Sequence, residues 1–208
     1  MDIEYILPDK IEKRSFQIIE NELGDRKIPE DVKPIVLRAI HTTADFDYYE
    51  NMFFSENVVA KALETLKKGA VIVTDTNMAK SGINRKSLEK LGCEVCCFMA
   101  DADVAERAKI NKTTRAVASV DKASELKKPV IYAVGNAPTA LLRLCEHIEK
   151  RTFIPEIVIG VPVGFVNVIQ SKELIIKSGV PCIVARGRKG GSNVAAAICN
   201  ALLYMCEK

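Results

Sequence analysis

Short apolar runs alternate with amphipathic stretches from residue 55 to the C-terminus. Five runs are nearly continuous in apolar residues, as strands of a parallel sheet are when both of their faces are buried. The predicted strands cover residues 71–74, 94–98, 130–134, 157–161 and 182–185. This alternation predicts an α/β fold with a doubly wound, mainly five-stranded parallel sheet and helices on both faces.

The intervening helices are placed by capping residues and by terminal glycines. Ser55 is the predicted N-cap of a helix that ends at Gly69, and Asn84 is the predicted N-cap of one that ends at Gly92. Two N-terminal helices precede the first strand, at residues 8–23 and 29–41. The remaining predicted helices span residues 137–150, 165–178 and 193–205.

Composition indicates one globular domain over residues 1–208, because 208 residues with 48% hydrophobic content can bury a sizeable core. The net charge of +3 is spread over interspersed acidic and basic residues, so neither a nucleic-acid partner nor a membrane partner is predicted. The N-terminal residues lack the pattern of a signal peptide, and no apolar run has the length of a bilayer span. We therefore expect a cytoplasmic protein.

The seven cysteines are expected to be reduced thiols. Cys93, Cys96 and Cys97 are closely spaced, but no second pair and no nearby histidine completes a set of four metal ligands. Cys96 and Cys97 also fall in the predicted buried strand 94–98, where cysteine behaves as a small hydrophobe. No metal site is predicted.

Polar residues are concentrated after the predicted strands, at the edge of a parallel sheet where ligands bind. Thr76 follows the first strand and Asn136 the third, while Asn84 lies beyond the first strand's loop. The turn after the last strand is rich in cations and glycines, and it precedes a helix whose free amides favour anions. Its candidate binding residues are Arg186, Arg188, Lys189 and Ser192. An exposed, solvated loop is the alternative. The glycine spacings of a P-loop and of a dinucleotide site are both absent, so no nucleotide cofactor is predicted.

His41 is one of only two histidines, and it lies in the polar cluster 38–45 one helical turn after Arg38. Imidazole exchanges protons near neutral pH, so His41 is the candidate general acid. Its position near the end of a helix favours imidazolium through the helix dipole. The alternative is a helix cap without a catalytic role. The other histidine, His147, lies inside a predicted helix and is expected to be structural or exposed.

Six segments in this order and spacing resemble the precorrin-8X methylmutase family. They are residues 11–16, 38–45, 134–141, 160–166, 171–173 and 187–192. The resemblance implies a homodimeric isomerase of corrin-ring biosynthesis that moves a methyl group from C-11 to C-12 of a macrocycle. It implies that His41 is the catalytic group, and such a shift needs neither a methyl donor nor a cofactor.

The resemblance also implies that basic side chains hold the acetate and propionate arms of the substrate, because arginine binds carboxylates through a planar fork. It places Ser15 and Arg38 beside the substrate and adds Arg115, with Arg14 as a further candidate. Asp45 and Asp75 are candidates to orient His41 or to contact the inner nitrogens of the ring. One departure concerns residues 167–170, Asn-Val-Ile-Gln, where the family usually has Gly-Ala-Ala-Glu; any inherited role of position 170 is therefore in doubt.

Three alternatives remain open at this point. The chain is a divergent methylmutase, a paralogue that acts on a related tetrapyrrole, or a carrier that holds unstable tetrapyrrole intermediates without converting them. A methyltransferase that uses S-adenosylmethionine is disfavoured by the absent glycine fingerprint. The resemblance covers substrates with and without cobalt.

Overall fold

The computed structural model describes residues 3–207, and it contains a six-stranded sheet flanked by helices. The strands are β1 (Met52–Phe54), β2 (Val71–Thr74), β3 (Glu94–Cys96), β4 (Val130–Val134), β5 (Ile157–Gly160) and β6 (Cys182–Ala185). Their spatial order is β1-β6-β5-β4-β2-β3. All neighbouring pairs are parallel except β1 and β6, which are antiparallel.

Eleven α-helices and one short 3₁₀ turn lie within the described residues. The turn is Pro8–Lys10, and the helices are α1 (Ile11–Leu23), α2 (Lys33–Thr43), α3 (Tyr48–Asn51), α4 (Val58–Lys67), α5 (Asn77–Gly82), α6 (Arg85–Lys90), α7 (Ala102–Ile110), α8 (Arg115–Ala123), α9 (Pro138–Glu149), α10 (Val168–Lys177) and α11 (Ser192–Cys206). Pairing of β1 with β6 places the N-terminal segment beside the last strand.

The four central strands, β2, β4, β5 and β6, are buried on both faces because their residues alternate between two apolar cores. Ile72 and Ile131 face the first core, which contains side chains of α1, α2, α4 and α11. Val73 and Tyr132 face the second core, which contains side chains of α8, α9 and α10. The predicted doubly wound sheet with helices on both faces is therefore confirmed.

Several predicted boundaries were wrong. The sheet has a sixth strand, β1, and the second and fourth predicted runs, 94–98 and 157–161, stop at Cys96 and Gly160. Ser55 is not a helix cap: α4 begins after Asn57, and Ser55 Oγ instead accepts a hydrogen bond from the Cys182 amide at 2.9 Å.

Helix α10 begins at Val168 rather than at the predicted residue 165. It starts late because Gly164 and Asn167 both have positive φ angles, of 140° and 58°, which interrupt a helix. Position 167 is the one at which the family usually has glycine. Asparagine is among the few other residues that tolerate this left-handed conformation, so the substitution is compatible with the backbone.

Candidate active site

The carboxyl ends of β2 and β4 are joined by one buried carboxylate. Asp75 follows β2 directly, and its two oxygens accept hydrogen bonds from the amides of Gly135, Asn136 and Ala137 at 2.8, 2.8 and 2.6 Å. Burial raises the pKa of Asp75, while the three amide hydrogen bonds act in the opposite direction. Asp75 thereby fixes the turn that carries Asn136 beside the start of α9.

The same turn packs closely on the start of α11. A Cβ atom on Gly135 would lie 2.7 Å from Ser192 Cα, so only glycine fits at this approach. Thr76 caps α5 by accepting a hydrogen bond from the Ala79 amide, and its hydroxyl lies 2.7 Å from the Ser192 hydroxyl. Three predicted binding residues, Thr76, Asn136 and Ser192, are thus brought together at the carboxyl edge of the sheet.

The loop after β6 lies at the same edge and carries three predicted cations, each of which contacts a protein side chain. Arg186 lies 5.1 Å from the Phe53 ring and 3.5 Å from a Glu173 oxygen. Arg188 lies 5.7 Å from the ring of Phe165, which is 83% exposed. The loop therefore presents guanidinium groups beside an exposed aromatic ring.

Lys189 connects this loop to the segment that follows α2. Its ammonium group lies 2.6 Å from an Asp45 oxygen and 2.5 Å from an Asp47 oxygen. These hydrogen bonds raise the pKa of Lys189 and lower that of Asp45. The charge of Lys189 is therefore already shared by two carboxylates.

His41 occupies the last turn of α2, as predicted from its polar cluster. The helix ends two residues later, where Ala44 adopts a left-handed φ of 52°. His41 is exposed, and its ring packs edge-to-face on Phe16 of α1 with the ring centroids 5.3 Å apart. This contact orients the imidazole and leaves it open to a ligand.

Arg38 lies one turn earlier on α2, between two aromatic rings. Its guanidinium carbon is 5.2 Å from the Phe16 centroid and 4.9 Å from the Tyr204 centroid, and its Nη1 donates to Glu12 at 2.8 Å. The side chain is 17% exposed. Such packing between two π faces fixes a guanidinium more firmly than solvent does.

Asn84 completes a continuous chain of contacts with His41 and Arg38. Its carbonyl oxygen caps α6 through the Ser87 amide at 3.2 Å, as predicted, and its Nδ2 donates to the Tyr204 hydroxyl at 3.0 Å. A cavity of about 480 Å³ lies next to these contacts, lined in part by Phe16, Arg38 and Tyr204. A concave, partly apolar surface with a few fixed polar groups is the usual form of a small-molecule site.

Comparison with known proteins identifies the family. The sequence profile described as precorrin-8X methylmutase matches residues 10–205. The chain belongs to the precorrin-8X methylmutase family. Its members are isomerases of cobalamin biosynthesis, and so the chain is an enzyme of the intramolecular methyl-transferring class.

Individual relatives agree with this assignment along their whole length. The cobalt-precorrin-8 methylmutase of Salmonella typhimurium is 43% identical, with 95% of each chain covered. The cobalt-precorrin-8 methylmutase of Leptospira interrogans is 41% identical, with 95% of this chain and 94% of the relative covered. The crystal structure of precorrin-8X methylmutase from Thermus thermophilus superposes with a TM-score of 0.88 at 39% identity, over 95% of this chain and 98% of that one.

Three of the basic or hydroxyl residues predicted for this methylmutase site take no part in the series of side-chain contacts that runs from His41 to Asn84. Arg14 is paired with Glu4 at 3.0 Å, and the Ser15 hydroxyl donates to the Ile11 carbonyl at 3.0 Å. Arg115 is the first residue of α8, which packs in the helix layer opposite α2. Within one chain, Arg115 and His41 are therefore on different faces of the sheet.

Neither aspartate that was considered as a partner of His41 contacts it. Asp45 binds Lys189 and the Asp47 amide, and Asp75 binds the turn after β4. Both carboxylates fix loops instead, so the suggestion that either of them orients His41 is wrong, while the suggested contact with the inner nitrogens of the ring stays a prediction. His147 has the expected structural role: its ring nitrogens lie 2.8 Å from Asp121 Oδ1 and from Thr152 Oγ1.

Phe16 and Tyr204 are the site residues that sequence reasoning missed. Phe16 was only one letter of a family segment, and Tyr204 lies in a largely apolar helix with no local motif around it. Between residues 3 and 207, no His, Cys, Asp and Glu side chains form a group of three that could hold a metal ion. No helix of that part of the chain has both the length and the apolar character needed to span a bilayer.

Proposed function

We propose that this chain is a cobalt-precorrin-8 methylmutase, which moves a methyl group from C-11 to C-12 of its substrate. The names of the Salmonella and Leptospira relatives support the cobalt-containing substrate. The reaction is a shift between adjacent ring carbons, so it needs no external donor. It needs a macrocycle whose conjugated system has been made electron-poor.

The observation that carries this proposal is the state of the two histidines. His147 is held by Asp121 and Thr152, whereas His41 is exposed at the end of α2, where its ring packs on Phe16, a residue that lines the cavity. His41 acts as the general acid: it donates a proton or a strong hydrogen bond to a ring nitrogen of the substrate.

Orientation supplies the rest of the rate enhancement, because general acid catalysis contributes only about 10²- to 10⁴-fold. Arg38, fixed between two rings, binds one carboxylate arm, and Asn84 lies on the same surface. Thr76, Asn136 and Ser192 form a second polar group, and the loop with Arg186, Arg188 and Lys189 forms a third. Further proposed substrate contacts are Arg14, Ser15 and Arg115.

The proposal includes a homodimer of 208-residue domains that acts in the cytoplasm. Arg115 offers a test of the dimer because, within one chain, it lies on the opposite face of the sheet from His41. If the second subunit brings Arg115 to the substrate, then mixing inactive His41→Ala and Arg115→Ala proteins restores turnover in the mixed dimer. Light scattering measures the subunit number directly.

The decisive test incubates purified protein with cobalt-precorrin-8 and, separately, with metal-free precorrin-8X, without any cofactor. Turnover changes the conjugation of the macrocycle, so the visible spectrum reports it, and the faster substrate identifies the branch. His41→Ala should lower kcat by about 10²- to 10⁴-fold while binding is retained. His147→Gln is the matched control and should keep kcat near the wild-type value.

Three results would contradict the proposal or a part of it. A spectrum that shows binding of both corrinoids without rearrangement would favour the carrier alternative. Undiminished turnover by His41→Ala would leave the isomerase assignment intact but remove His41 from its mechanism. Dependence of turnover on added S-adenosylmethionine would favour a methyltransferase instead.

A further inference from the structure

Lys172 is a fully buried cation beneath the loop that follows β6. It lies on α10, and its Nζ donates hydrogen bonds to the carbonyl oxygens of Gly187 at 2.9 Å and of Lys189 at 2.8 Å. The carbonyl between these two, that of Arg188, accepts a hydrogen bond from the Gly164 amide at 3.2 Å. The carbonyls of Gly187 and Lys189 therefore point toward Lys172, and that of Arg188 points toward the loop that follows β5.

This orientation determines where the amides of the loop point. In a trans peptide the N–H of one residue is antiparallel to the C=O of the residue before it, and the described backbone has no cis peptide. The amides of Arg188 and Gly190 consequently point away from Lys172. Within the described chain, neither of these two amides donates a hydrogen bond to a protein acceptor. Free amides that point to the same side form a concavity that binds anions.

Close backbone contacts also hold residues 190 and 191 of the loop in place. A Cβ atom on Gly190 would lie 2.1 Å from the Val161 carbonyl oxygen, and the Gly191 amide donates to that oxygen at 2.9 Å. Gly187 has a φ of 74°, a left-handed conformation that favours glycine. Lys172 is the one side chain among the described residues that donates to the loop's carbonyls.

We propose that Lys172 is a positioning residue of this methylmutase, which turns the peptides of residues 187–189 so that their outer amides and the Arg188 guanidinium bind a carboxylate arm of the substrate. The inference rests on the proposed function, because that function supplies the polycarboxylate. Lys172 itself does not touch the substrate. It acts through the loop, and its removal leaves two inward carbonyls without a donor.

The ionisation of Lys172 allows its positioning role to be tested in solution. Burial lowers the pKa of Lys172 to about 8, so its charge is lost near that pH. The strands under α10 contribute Cys182 as a titratable group, and burial raises its pKa to about 11. Nearby loop charges are paired elsewhere: Arg186 with Glu173, and Lys189 with Asp45 and Asp47. The Arg188 guanidinium lies over the Phe165 ring.

The test compares Lys172→Met with the matched control Lys177→Met, an exposed lysine at the end of the same helix. Initial rates with cobalt-precorrin-8 at pH 7 should show a KM raised about tenfold or more by Lys172→Met, with kcat within about threefold of wild type, because the arm is bound equally in ground and transition states. The control should keep the wild-type KM. Visible titration of bound corrinoid gives Kd for the same proteins.

A second measurement uses the wild type alone and does not depend on the folding of a variant. Its KM should rise severalfold between pH 7 and 9 as Lys172 loses its charge, whereas the KM of Lys172→Met stays flat. Lys172→Gln, which keeps a donor, should be intermediate. If Lys172→Met is folded by circular dichroism and keeps the wild-type KM, or if the wild-type KM is flat across this range, the inference is overturned.

Failure of the proposed function gives a different pattern. A wild type that binds corrinoid without rearranging it would refute the isomerase, yet a tenfold weaker Kd for Lys172→Met would still support the positioning role. Equal Kd values for the two proteins would refute the positioning role whatever the turnover.

Discussion

Replacing Asp75 by asparagine tests whether one buried carboxylate holds the carboxyl edge of the sheet together. In the wild type its oxygens accept three backbone amides, from Gly135, Asn136 and Ala137. Asparagine has nearly the same shape but only one acceptor oxygen, so its NH₂ group faces at least one of these amides. One hydrogen bond to a charged acceptor is lost, at about 1.5–3 kcal/mol, and the remaining ones weaken to neutral bonds of about 0.5–1.5 kcal/mol each.

Removal of a buried charge offsets part of this loss, so we expect Asp75→Asn to lower the free energy of unfolding by about 2–4 kcal/mol. Asp75→Ala leaves all three amides without an acceptor and should cost more than Asp75→Asn. Urea denaturation followed by circular dichroism measures both. Asp25→Asn, an exposed aspartate, is the control and should change stability by less than about 0.5 kcal/mol. If Asp75→Asn unfolds at the same urea concentration as the control, the three hydrogen bonds add no net stability and the reasoning fails.

Three other substitutions test separate features of the site. Asn167→Ala should destabilise the protein by about 1 kcal/mol in urea denaturation because alanine tolerates left-handed φ poorly, while Asn167→Gly should not; equal loss in both would exclude backbone strain as the cause. Gly190→Ala places a methyl group against the Val161 carbonyl and should raise KM for the corrinoid about tenfold or more, and an unchanged KM would show that the loop is not part of the site. Tyr204→Phe keeps the ring beside Arg38 but removes the acceptor of Asn84 Nδ2, so a thermal scan should report a loss of about 1 kcal/mol; no loss would mean that this hydrogen bond is not formed in solution.

The central sheet was predictable because each buried parallel strand is an apolar run of its own. β1 was not, since Met52–Phe54 is a three-residue edge strand whose antiparallel partner lies 130 residues later. Ser55 was misread for a related reason: a serine before an amphipathic stretch is typical of an N-cap, but the Cys182 amide, distant in sequence, takes its hydroxyl.

Only those parts of the site that depend on residue type and strand order could be predicted from the sequence. His41 at a helix end and Asn84 as a cap followed from local sequence. The packing of Phe16 and Tyr204 around Arg38 did not, because it depends on how α1 and α11 lie on α2. Lys172 was present only as one residue of the family segment 171–173, and its burial could not be predicted because a lysine in an amphipathic helix ordinarily lies in solvent.

Packing of α2 against α11 has a consequence for the biosynthesis of the protein itself. The helix that carries His41 leaves the ribosome well before the helix that packs against it. The nascent chain therefore exposes the apolar face of α2, with Ile35, Ile40 and Leu37, until α11 has been synthesised. Chaperones that bind apolar segments have their longest opportunity there, and a premature stop codon before α11 yields a product that never assembles its catalytic surface.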